Sequence, residues 1–252
     1  MRRLGAFTLA ELLVALAITV LLVLLLTSVV AATLGAWSQG RNRLDTYSTA
    51  RQVLGRIGDE LKGAMANSSV SGSQIQFVEN AALAAVPSPT PGTAENVFFV
   101  APYPNLGGGD LCTIAYSLDS TTHELKRAFR SSDQVWADLA ATRYQAAGHT
   151  YTSSDWHVIA TGVLEFELKS YSQTDLDTNI DPPPTTWDSE TTDSSKAYMV
   201  GKAPRRIVIR LQVVDDRTVA KLAGMTVGSG PYTAIVLRSA RPFTAEVSLP
   251  PP

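Results

Sequence analysis

A single cysteine, Cys112, stands among the 252 residues, so no intramolecular disulfide can staple the fold and its stability must come from packing. Histidine is equally sparse: His123, His149 and His157 show no zinc-ligand spacing with one another or with Cys112. The formal net charge is only −2, which argues against the positive field that nonspecific nucleic-acid binding needs. Motifs of catalysis are missing as well. Gly107, Gly108 and Gly109 are not followed by the Lys-Ser/Thr pair and helix start of a phosphate cradle, and they read as a turn. Ser154, Asp155 and His157 are neighbours in sequence without a nucleophile elbow. Asp175, Asp177, Asn179 and Asp181 alternate like the start of a calcium loop. An EF-hand loop, however, wants Gly at its sixth place and Glu at its twelfth, where Ile180 and Thr186 stand. An acidic, solvated loop is the better reading, with weak calcium binding left open. No cofactor, metal centre or enzymatic activity is expected.

Charge is missing from one long stretch in particular. From Ala6 to Gly40 the only ionisable side chain is Glu11. About 20 consecutive apolar residues suffice to cross a bilayer as a helix. A carboxylate in such a run costs about 2.5 to 3.5 kcal/mol on insertion scales, so its presence implies a task. Arg2 and Arg3 precede the run, which places the N-terminus in the cytoplasm and sends the remainder outward. A secretory signal peptide would be cut after the run, near Ala31, Ala32 or Gly35. Against that, the apolar core is about twice the usual 7 to 15 residues, and helical spacing continues past it.

Beyond Trp37, an interfacial aromatic, the pattern turns amphipathic. Leu44, Tyr47, Ala50 or Arg51, Leu54, Ile57, Leu61 and Met65 recur at spacings of three and four, while Arg41, Arg43, Arg51, Arg56, Asp59 and Lys62 lie mainly off that stripe. Asn67, Ser68 and Ser69 end the helical pattern. Strands are expected at Gln74–Val78, Asn96–Ala101, Thr113–Leu118, Glu124–Phe129, Trp156–Ala160, Val163–Tyr171, Arg205–Val214, Tyr232–Arg238 and Phe243–Val247. Many alternate, as sheets with one covered face do: Leu164, Phe166 and Leu168 oppose Glu165, Glu167 and Lys169. Tyr116 to Asp119, a turn at Ser120–Thr122 and Glu124 to Arg127 read as a hairpin. Cys112 reads as a small buried strand residue. Arg205, Arg206 and Arg210 are read as cross-strand partners of Glu165 and Glu167 rather than as a nucleic-acid contact. Long loops are expected at Pro87–Gly92, Pro102–Asp110, Ser131–Ser154 and Gln173–Lys196.

The order of basic leader, small residue, Phe7-Thr8-Leu9-Ala10-Glu11 and long apolar helix resembles the class III leader of type IV pilin-like proteins. That resemblance implies cleavage by a prepilin peptidase between Ala6 and Phe7, N-methylation of Phe7, and Glu11 as fifth residue of the mature chain. The family prefers Gly before the cut, so Ala6 is a departure and Gly5–Ala6 is a competing bond; only Ala6–Phe7 puts Glu11 fifth. In the family this carboxylate meets the terminal amine of a neighbouring subunit, which suits the rule that a buried charge must be paired. Further along, Leu118-Asp119, Leu125 and Arg127, the run Val158 to Phe166, Trp187 and Pro204 to Leu211 resemble minor pseudopilins of the J type in type II secretion and W-type minor pilins.

The expected architecture is α+β and pilin-like: a long N-terminal helix, transmembrane and then amphipathic, packed on an antiparallel sheet. Residues 1–6 would be the leader, 7–36 the transmembrane half of the helix, 37–66 its amphipathic half, and 67–252 a periplasmic β-rich domain. The implied function is that of a minor pseudopilin at or near the tip of a type II secretion pseudopilus; a minor pilin that initiates a type IV pilus, or serves adhesion or DNA uptake, is the alternative. Other pseudopilins or pilins, the prepilin peptidase, an inner-membrane assembly platform and the lipid bilayer are the implied partners. The implied location is the bacterial inner membrane, and the periplasmic fibre after assembly.

Overall fold

A 53-residue helix, α1 (Leu9–Leu61), leads the chain. The structure, a computed structural model, describes residues 9–67, 75–80, 96–102, 111–137, 151, 154–178, 186–189 and 191–250. Two compact units divide between Asp45 and Thr46.

The first unit is the apolar part of α1. Leu9–Ser38 spans 30 residues; its most apolar 18-residue stretch has a mean hydropathy of 3.0 and buries no side chain. At about 1.5 Å per residue such a helix is roughly 45 Å long, more than a hydrocarbon core of about 30 Å requires. Its few hydroxyls are turned back on the helix. Thr19, Thr27, Ser28 and Thr33 donate to the carbonyls of Ala15, Val23, Leu25 and Val29 at 2.8–2.9 Å. These four hydroxyls are thereby satisfied without water, the condition a bilayer imposes.

In the second unit the last turns of α1 bury Ala50, Val53, Leu54, Ile57 and Leu61 and expose Arg51, Arg56, Asp59 and Lys62. The expected stripe is therefore the packed face, with two corrections. Leu44 is exposed. The helix also ends at Leu61 and does not reach residue 66: the Met65 amide donates to the Val100 carbonyl at 2.9 Å, so Met65 belongs to a bridge. Gly63, just past the helix end, lies close to the neighbouring strand: a Cβ there would stand 3.3 Å from Pro102 Cδ.

Two antiparallel sheets receive this face. One has five strands in chain order: β1 (Phe77–Glu79), β2 (Asn96–Pro102), β3 (Leu111–Asp119), β4 (Glu124–Arg130) and β5 (Trp156–Thr161). The other has three: β6 (Val163–Tyr171), β7 (Arg206–Val213) and β8 (Arg241–Ser248). The expected hairpin joins β3 to β4, pairing Asp119 with Glu124. Its turn is held by Asp119, whose carboxylate accepts the Thr121 and Thr122 amides at 3.0 and 3.2 Å. The chain passes from one sheet to the other at Gly162, where φ is +72° and a Cβ would sit 2.4 Å from the Val214 carbonyl oxygen. Only glycine fits that place.

One core joins α1 to both sheets. It contains Ile57 and Leu61 with Phe99, Tyr116, Phe166 and Ile209. Phe77, Phe99 and Tyr116 stack in series with ring centroids 6.2 and 6.4 Å apart. The opposite face of β2 and β3 is covered too, by a second cluster of Phe98, Val100, Ala115, Ala128 and Tyr151. Those two strands are thus buried on both faces, unlike the one-sided sheet the sequence suggests.

Three further differences concern elements. The segment expected as a strand at Tyr232–Arg238 is helix α5 (Gly230–Ser239). Ser229 caps it, accepting the Tyr232 amide at 3.4 Å, and Pro231 stands in its first turn. These start signals outweigh the β-branched Thr233, Ile235 and Val236. The expected strand Gln74–Val78 is instead β1, with Ile75 in a bridge to Asn67 and residue 74 outside the described residues. Short helices α2 (Ser132–Ala137) and α3 (Gln173–Thr178) and a 3-10 helix at Ser194–Met199 lie in expected loops, and α4 (Asp216–Leu222) precedes α5. The architecture is α+β, with one apolar N-terminal helix long enough to span a membrane.

Candidate functional site

Glu11 lies in the first turn of α1, exposed, and is the one charged side chain between Leu9 and Ser38. The N-terminal end of a helix carries partial positive charge, which favours a carboxylate there. Chemically the group can accept hydrogen bonds or pair with a cation; nothing beside it in sequence supplies a nucleophile or a metal ligand. Ala6 and Phe7, the expected processing positions, lie outside the described residues.

A second carboxylate fixes α1 to the first sheet. Glu60 is buried, and its Oε1 and Oε2 accept from Arg127 Nη2 and Nε at 2.9 and 3.0 Å. The Tyr116 hydroxyl donates to the same carboxylate. Tyr116 and Arg127 are register partners on β3 and β4, so both reach one point on the helix. Arg56 adds a weaker contact at 3.4 Å from the solvent side. The Arg127 guanidinium also lies 4.8 Å from the Phe129 ring centroid. Burial, then the adjacent Glu60 charge, push the Tyr116 phenol well above its ordinary pKa. Such a bidentate pair is directional and fixes the rotation and axial position of the helix on its sheet. Sequence reasoning placed Arg127 on its strand and missed Glu60. The available signal was position: Glu60 adjoins Leu61 and lies three residues after Ile57, inside the apolar stripe.

The third carboxylate joins the two sheets. Glu79, at the end of β1, is buried and accepts from the Ser170 hydroxyl on β6 and from the Trp187 amide at 2.8 Å. Burial raises its pKa from 4.5 to about 7, against the opposing effect of those hydrogen bonds. Trp187 is itself buried; its Nε1 donates to the Lys202 carbonyl at 2.9 Å, and its ring meets Tyr198 edge to face. Glu79 therefore holds a β1 edge, a β6 edge and the Trp187 segment together.

The remaining candidates have local duties. Asp175 caps α3: its carboxylate accepts the Ser172 amide at 2.7 Å while Ser172 Oγ accepts the Asp175 amide at 3.1 Å. Asp177 accepts from Gln173 at 2.9 Å, and Asn179 and Asp181 lie outside the described residues. Asp155 pairs with Arg130 at 3.8 Å, and His157 is exposed on β5. His123 sits at φ +57° in the β3–β4 turn, where burial lowers its pKa. Cys112 is buried on β3, and burial raises its thiol. His149 and Gly107 to Gly109 fall outside the described residues. Arg210 does pair with Glu167, at 3.9 Å; Arg206 pairs instead with Glu246 at 3.6 Å and covers the Tyr171 ring.

An open cleft of about 620 Å³ adjoins the Glu60 pair, lined by Arg56, Asp59, Glu60, Gly63, Ala101, Pro102 and Ile114. Its charged groups are already engaged, Arg56 with Glu60 and Asp59 with Lys62. Among the described residues no group of three or more His, Cys, Asp or Glu side chains is placed to hold a metal ion. No protein-family model, no curated protein and no solved structure matches this chain.

Proposed function

We propose that this chain is a membrane-anchored structural subunit of the type IV pilin-like class, a minor pseudopilin at or near the tip of a type II secretion pseudopilus. The observation that carries the reading is Glu11: a lone carboxylate in the first turn of a 30-residue apolar helix. Insertion of that group is unfavourable by about 2.5 to 3.5 kcal/mol, so its presence implies a task, and pairing with a cation of a neighbouring subunit is the task this class supplies. A processed amine at Phe7 would lie four residues from it, and the same amine on the next subunit would complete the pair. The packing of the distal part of α1 on antiparallel strands is in keeping with this class. The duty is structural; no residue is assigned a catalytic role.

Mass spectrometry of the protein from a host with a prepilin peptidase tests the reading. The expected mature chain begins with N-methylated Phe7, and the unprocessed chain accumulates when the peptidase is deleted. A mature N-terminus near Ala32 or Gly35 would identify a conventional signal peptidase and refute it.

A further inference from the structure

The segment between β7 and β8 has no duty in the structural reading above. Among the described residues of the second unit, six large apolar side chains are exposed, and three of them lie here: Met225 at 37%, Val227 at 67% and Leu237 at 79%. Helix α5 buries none of its residues. Three exposed apolar side chains on one short segment, beside a helix that buries nothing, suit a contact surface.

Its charge says which kind. From Asp215, the cap of α4, to Arg241 there are four cations, Arg217, Lys221, Arg238 and Arg241, against two carboxylates, Asp215 and Asp216, both at the start of α4. The whole chain is −2, so this +2 segment leaves −4 on the rest. Among the described residues none of the four is held in an ion pair. Exposed apolar tips among unpaired cations suit the boundary of an anionic bilayer, where the cations meet phosphate headgroups and the tips enter the acyl region.

Its place in the fold agrees. Phe243 on β8 meets the Tyr47 ring at 5.1 Å, and Gly58 lies against Val247, so β8 runs in the same direction as the end of α1. Arg241, two residues before Phe243, therefore sits at the Tyr47 end of this unit, with α5 immediately before it. Tyr47 is nine residues from Ser38, a tether of at most about 32 Å when fully extended. Anchored by such a tether, the segment meets lipid at high effective concentration, and weak contacts suffice.

We propose that the α4–α5 segment is a second, peripheral membrane contact that lays Met225, Val227 and Leu237 on an anionic lipid surface while the subunit awaits assembly. This rests on the anchoring of α1 in the bilayer. Amide hydrogen exchange of the full chain, reconstituted in neutral phosphatidylcholine vesicles and in vesicles with one quarter phosphatidylglycerol, tests it. The expected result is exchange across residues 223–240 slowed by about tenfold or more in the anionic vesicles only. That protection should be lost in about 0.5 M salt and in the double variant Val227→Asp/Leu237→Asp. Equal exchange in both vesicles overturns the proposal. Protection that appears in neutral vesicles and grows with protein density overturns it in favour of a second protein on this face. Flotation after alkaline washing separates the premises: a chain that washes off removes the anchor as well, whereas a retained chain without protection removes only the lipid contact.

Discussion

Removing one partner of the Glu60–Arg127 pair should be far more damaging than removing both. Both groups are buried, the contact is bidentate at 2.9 and 3.0 Å, and Tyr116 donates to the same carboxylate. Glu60→Leu would leave the Arg127 guanidinium under the helix with no counter-charge and Tyr116 without its acceptor. Breaking a buried pair in this way costs about 3 to 5 kcal/mol. Arg127→Met leaves Glu60 with Tyr116 and the partly exposed Arg56, a weaker contact at 3.4 Å, so its loss should fall at the lower end of that range. The double variant replaces the pair by side chains of similar volume in an apolar surrounding and should recover most of the loss. Urea unfolding of the full chain in mild detergent, followed by the fluorescence of buried Trp187, measures all four corners of the cycle. Single variants within about 0.5 kcal/mol of the parent would refute the argument. So would a double variant whose loss equals the sum of the two singles.

Ile57→Asp places an unpaired carboxylate at a fully buried position on the packed face of α1, and should lower the stability of the second unit by several kcal/mol in the same assay. Glu79 makes stability depend on pH in an unusual direction. Its folded pKa of about 7 lies above the ordinary 4.5, so the native state binds the extra proton between those values, and its contribution is lost as pH rises from about 4.5 through 7. At about 1.4 kcal/mol per pH unit the effect is about 3 to 4 kcal/mol, and the stability difference between parent and Glu79→Gln should change by that amount across the window and be flat above pH 8. Glu11→Ala should leave insertion intact or improve it, and leave the melting of the second unit unchanged, while crosslinking to neighbouring subunits and recovery in fibres fall together; normal incorporation would remove Glu11 from assembly.

The parts of the fold that sequence reveals are those in which one physical demand repeats. Ala50, Leu54, Ile57 and Leu61 recur because one side of a helix faces a core, and Leu125, Arg127 and Phe129 because one side of a strand does. The division into two sheets was not legible, since alternation reports a strand's faces and not its neighbours. Gly162 was visible, but its role as the crossing point depends on a close approach to Val214 that only three dimensions supply. Helix α5 was misread because a segment that buries nothing carries no periodicity, leaving β-branched composition as the only cue. Glu60 and Glu79 were passed over for the opposite reason: charged residues are read as exposed unless something in the sequence names their partner. Glu11 stood out because no other charge surrounds it.

Those three glutamates solve one problem in different ways, and the difference bears on what each can do. A carboxylate removed from water must be neutralised or must lose its charge. Glu60 is neutralised by Arg127, from the same domain and permanently, so it can only be structural. Glu79 takes the other course and holds a proton near neutral pH, which lets it join two sheets without a cation but ties that junction to pH. Neither arrangement can drive association, because each is complete within the folded unit. Glu11 lies in the apolar stretch that the buried face of the second unit does not include. On the proposed reading it meets the terminal amine of another subunit, so that electrostatic gain is realised on assembly. That makes association between neighbours, rather than the folding of either one, the step that a charge at this position controls.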